Sequence, residues 1–196
     1  MSATVTSDTT VSSSEKVTPA LRRAVVALWV GAAAAVALAL ISLFVTTSSD
    51  DKFHHIGDYF LTADGIPYVV ALLVLLPAMR ELQARRGGRF GFVGTVFASV
   101  GAVVLLGMFV YGLIAESGGS LGPTYVLASL ATIIGVVLFA IGSWRAKLLP
   151  RWLVLAWPIA WLFGSMLPLA GPGPLLLAAA YIAMAVVLPR RAALAA

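Results

Sequence analysis

The chain has 196 residues, no cysteine and a formal net charge of +5, with 61% hydrophobic residues, 11% charged residues and a mean hydropathy of +1.01. Soluble domains run about 45–50% apolar and 25% charged, so a soluble globular fold has nowhere to hide this much apolar surface. The lack of cysteine excludes disulfides, thiolate nucleophiles, Cys-ligated zinc and iron–sulfur clusters. The basic residues sit in short clusters at the ends of apolar stretches, which argues against a nucleic-acid partner.

The Ser/Thr-rich residues 1–20 carry too little apolar surface to offset the entropy of ordering, and are expected to form a disordered cytoplasmic tail. After Arg22 and Arg23, an apolar run from Ala24 to Val45 extends about 33 Å as a helix and spans the hydrocarbon. An export signal is the competing reading, but the run is longer than a signal core and no A-x-A-like site follows before Asp50.

The second apolar stretch runs from Tyr59 to Met79, interrupted by Asp64, Gly65 and Pro67. Because Pro is tolerated in a first helical turn, the continuous helix is expected to start near Ile66, with Asp64 as its cap, and to end at Arg80. Helix three is expected over Gly91 to Ala115, a turn over Ser117 to Pro123, and helix four over Tyr125 to Trp144. Helix five covers Trp152 to Leu169 with a kink at Pro158, and Gly171 to Pro174 makes a tight connection. Helix six, Leu175 to Leu188, reads as the shortest span and ends at Pro189; residues 192–196 are a short tail.

Arg80, Arg85, Arg86 and Arg89, then Arg145, Lys147 and Arg151, then Arg190 and Arg191 fall on the same side as Lys16, Arg22 and Arg23, whereas only Lys52 falls opposite. The positive-inside rule therefore predicts an all-α transmembrane bundle over residues 21–191, with six helices and both termini cytoplasmic. The Ala, Val, Leu and Gly content, with arginine exceeding lysine, is associated with bacterial plasma-membrane proteins.

Helices in lipid approach through small residues. Gly31, Ala35 and Ala39, then Gly94, Ala98 and Gly101, then Ala128, Ala131, Thr132, Gly135 and Gly142 form such faces, suited to packing within the chain or to a second copy or another membrane protein. A pore lined by Thr95, Ser99, Ser129 and Thr132 is the alternative, although such hydroxyls commonly bond their own helix backbone. Trp144, Trp152, Tyr59, Tyr68 and Tyr125 fall near span ends, as interfacial anchors do.

Two groups have the chemistry of a site. Asp64 with Tyr68, Tyr111 and Glu116 would form an outward-facing polar pocket for a small solute, since an ionisable residue within a span marks function. His54, His55 and Asp58 have a spacing that brings two metal ligands together on a helix, but adjacent histidines cannot share a helix face and further ligands such as Asp50 or Asp51 would be needed. The alternative is a solvated interfacial loop, within which histidine titrates near neutrality. Gly164-Ser165 has no membrane-embedded histidine to act as base. No nucleotide or metalloprotease motif appears, so no catalytic residue and no cofactor are assigned.

The stretches Leu76-Pro77 to Gly94 and Leu149-Pro150-Arg151-Trp152 resemble uncharacterised small polytopic integral membrane proteins of actinobacterial type. The resemblance implies membrane class and carries no catalytic residues. Three roles remain open: a non-enzymatic structural or accessory membrane subunit, a small-solute transporter or channel, and a membrane enzyme or sensor.

Overall fold

A computed structural model describes residues 9–45, 52–83, 86–117, 122–166 and 173–195. Six α-helices follow in order: α1 Thr9–Phe44, α2 Ile56–Gln83, α3 Gly88–Ala115, α4 Gly122–Arg145, α5 Arg151–Trp161 and α6 Gly173–Ala195. Five are long and apolar enough to cross a membrane. The 11 residues of α5 cover only about 16 Å against a hydrocarbon core of roughly 30 Å, and a π-helical turn, Leu162–Met166, carries it further. The chain is a polytopic helical membrane protein.

Several boundaries differ from the sequence reading. Helix α1 starts at Thr9, inside the segment expected to be a disordered tail. A helix anchored in the membrane extends by propagation rather than by new nucleation, so weak helix formers and the interior Pro19 do not stop it. Helix α2 begins at Ile56, so Asp64 lies within it and caps nothing. The cap is Asp58, whose Oδ2 accepts from the backbone N–H groups of His54 and His55 at 3.0 and 2.9 Å. That reach back to the residues preceding the helix is one arm of a capping box.

Pro67 and Pro189 lie inside their helices. Each removes one backbone donor, a loss that packed neighbours make tolerable in membrane helices. Because α6 continues through Pro189, helix five and not helix six is the shortest, and the expected C-terminal tail is helical through Ala195. Residues 1–8, most of the α3–α4 connection, the last three residues expected for helix five and most of the α5–α6 connection lie outside the described residues.

Each helix packs on its neighbours in sequence, and α6 returns against α1, which makes a closed ring. Its tightest seam joins α3 and α4. A Cβ added at Gly135 would fall 2.6 Å from Ala98 Cα; one at Gly94 would fall 2.7 Å from the Gly135 carbonyl oxygen; one at Gly142 would fall 2.6 Å from Gly91 Cα. Only glycine lets the two backbones meet there. On α1, Gly31 makes room for the Tyr181 ring, and Ala35 and Ala39 are fully buried. Thr132 and Thr95 donate to the carbonyls of Ala128 and Gly91 one turn back, at 2.8 and 2.7 Å, which favours the packing reading of these hydroxyls.

The helices alternate between two ends. At one, Arg23 of α1 meets Glu81 of α2 at 2.7 Å, and the Arg145 guanidinium lies 4.5 Å from the Phe90 ring centroid. There the buried Gln83 donates to Ser143 Oγ at 2.7 Å, and Gly87 and Gly91 leave space for its amide. At the other end, the α1–α2 and α3–α4 connections meet: Lys52 bridges to Ser117, and Phe53 N–H donates to the Glu116 carbonyl at 2.9 Å. Nearly all the arginines fall at the first end.

Candidate functional site

A polar and aromatic cluster occupies the interior of the ring around mid-span; the end where the α1–α2 and α3–α4 connections meet, with Asp58 and Glu116, is the acidic end. Tyr68 of α2 stacks with Trp161 of α5 and Tyr181 of α6, the ring centroids 5.3 and 6.3 Å away. Trp157, one turn before Trp161, meets Phe139 of α4 edge-on at 6.1 Å. Trp157, Trp161 and Tyr181 are each 1% exposed or less.

Trp161 Nε1–H donates to the Tyr181 hydroxyl at 3.3 Å, and Tyr68 and Trp157 also approach that oxygen. The Tyr68 hydroxyl and Trp157 Nε1 complete no hydrogen bond of good geometry among the described residues. Tyr125, in the first turns of α4, adjoins Tyr68 and meets Ser129. Buried polar groups without partners are costly in an apolar interior, so the two beside the Tyr181 hydroxyl call for an explanation.

Asp64 stands one helical turn from Tyr68, towards the acidic end. Spacing of four residues puts both on one face of α2, with Cβ atoms about 5–6 Å apart. One carboxylate oxygen, Oδ2, is buried without a hydrogen bond. Next to it, Gly65 accommodates the Phe109 ring of α3, which ties this stretch of α2 to its neighbour.

Of the four residues expected to gather, Asp64 and Tyr68 do so. Tyr111 instead faces outward from α3 with 56% exposure. Glu116 caps α3 in the left-handed region, its φ being 50°, and its side chain meets Tyr59 at the connection. Tyr68 is also no interfacial anchor: it is 6% exposed, whereas Trp144, Trp152 and Tyr59 are 43%, 55% and 36% exposed and fit that role.

Among the described residues, no group of three His, Cys, Asp or Glu side chains comes together to hold a metal. The Asp58 carboxylate that would have joined His54 and His55 is buried and turned to their backbone amides. Asp50 and Asp51 lie outside the described residues, as does the side chain of Ser165.

Trp157, Trp161 and Tyr181 were not singled out from the sequence. Their signal is depth: Trp157 and Trp161 are four residues apart well inside helix five, and Tyr181 is mid-span in helix six. No family model, curated protein or solved structure matches the chain. The site's chemistry therefore carries the functional argument.

Proposed function

We propose that this chain is a multi-pass plasma-membrane protein that binds and carries a small solute bearing a positive charge, admitted from the side where α2 begins. The observation that carries this reading is Asp64, half-buried within a helix long enough to span, whose carboxylate Oδ2 is buried and unpartnered one turn from an aromatic cluster with unused polar groups. An ionisable residue at such depth is costly without a partner, and a cationic solute is the partner that its charge recognises. Trp157, Trp161, Tyr68 and Tyr181, packed on one another, are rings of the kind on which ammonium groups rest once a solute parts them.

The basic clusters support a cytoplasmic position for the other end by the positive-inside rule, and a bacterial, actinobacterial-type origin is part of this reading. The accessory-subunit role loses its expected contact surface, because the small-residue faces of α1, α3 and α4 are filled from within the chain. A partner would have to meet the exposed aliphatic faces instead.

The test is titration of purified, liposome-reconstituted protein with tetraethylammonium, glucose and acetate, following tryptophan fluorescence. A saturable change with the cation alone is expected. Asp64→Asn should weaken it by about 10–100-fold, the range for losing one charged contact of roughly 1.5–3 kcal/mol. A cation response that never saturates, or one that Asp64→Asn leaves intact, would refute the reading.

A further inference from the structure

At the basic end, far from the aromatic cluster, a cleft of about 480 Å³ opens between the α4–α5 turn and the last turns of α6. Lys147, Arg151 and Arg191 line it together with Trp144, Pro150 and Trp152. None of the three cations forms an ion pair among the described residues; the basic end's one acidic side chain described there, Glu81, is taken by Arg23. Arg151 lies 5.6 Å from the Trp144 ring centroid, a contact that holds its guanidinium beside the cleft without neutralising it.

The backbone positions these charges at some cost. Leu148 N–H donates to the Ser143 carbonyl at 3.0 Å and Lys147 N–H to the Trp144 carbonyl at 2.8 Å, the paired bonds of a Schellman turn. Its left-handed position belongs by preference to glycine, yet Lys147 occupies it with φ 60°. Strain of this kind persists where the surrounding structure over-determines the backbone, and it clusters at ligand clamps and functional sites. Pro150 then starts α5 without a side-chain cap, so the positive end of that helix also faces this region.

We infer that this cleft binds the phosphate headgroup of an anionic phospholipid. A phosphate group, free or lipid-borne, satisfies three unpaired cations; the lipid is favoured by position. Trp144 and Trp152 are half-exposed at the end of the spans, the depth of headgroups, and the buried Leu149 with Pro150 supplies an apolar wall for the glycerol and upper acyl chain. The site is separate from the proposed solute site and stands or falls without it.

Native mass spectrometry of the whole protein, delipidated and then offered phosphatidylglycerol, phosphatidylcholine or inorganic phosphate, tests this. Phosphatidylglycerol should be retained in clear preference to phosphatidylcholine, and millimolar inorganic phosphate should not displace it. Replacing Arg151 and Arg191 by Gln should lower that retention by about 25-fold, at roughly fivefold per basic side chain, whereas Gln at Arg86 and Arg89 should leave it unchanged. Lys147→Gly separates binding from folding: it suits the left-handed turn, so thermal stability should hold or rise while retention falls about fivefold. Equal retention of the two lipids, displacement by inorganic phosphate, or retention unaltered in the Arg151 and Arg191 or the Lys147 variants would overturn the inference.

Discussion

At Asp58 one carboxylate decides where a helix begins. Its bonds to the amides of His54 and His55 set the start of α2 at Ile56, two turns before the Asp64-Gly65-Ile66-Pro67 sequence that looks like a helix entry. Both aspartates precede apolar residues, and the sequence does not say which one turns back on its own backbone. Asp58→Ala should destabilise the start of α2 by about 1–2 kcal/mol, seen as faster amide hydrogen exchange across residues 54–60, with Asp58→Asn retaining most of the protection. The same Oδ2 is turned to the backbone amides of His54 and His55 and not to their imidazoles. Asp64, which caps nothing, is half-buried within α2 with one buried, unpartnered oxygen. Its depth in an apolar run was legible in the sequence; the convergence of Trp157, Trp161 and Tyr181 one turn away was not, because it depends on how α2, α5 and α6 turn toward one another.

Among the elements, α3 and α4 show what the sequence carries most directly. Glycines and alanines at four-residue spacing predict close backbone approach, and the structure meets that expectation with Gly94, Ala98 and Gly101 against Ala128, Thr132 and Gly135. What spacing leaves open is the partner, since a small-residue face suits another helix of the same chain as well as a second molecule. Gly135→Leu forces a branched side chain against Ala98 and should cost about 1–3 kcal/mol or more, read as a lowered melting midpoint in detergent; an unchanged midpoint would show that the seam is looser than described. Helix limits were less legible. Proline reads as a boundary, yet Pro67 and Pro189 lie within helices, because membrane packing tolerates a lost donor that a solvated helix would not, and Pro19 lies within α1, which propagates through it.

For the whole molecule, composition and charge clusters determine class and alternation: an all-α bundle with arginines gathered at one end. The short α5 is the point on which the topology turns. Arg151 at its start and Arg191 near the end of α6 line the same cleft, so α5 with its π-helical turn leads away from the basic end and α6 returns to it. This arrangement predicts six crossings, with the Asp64 half of the ring on the outer side. Because the chain has no cysteine, single cysteines placed at His54, Arg86 and Arg190 report sidedness directly through a membrane-impermeant maleimide on intact cells. The account predicts labelling at position 54 without lysis, and at positions 86 and 190 only after the membrane is opened; labelling of position 190 from outside, or of position 86 before position 54, would contradict it.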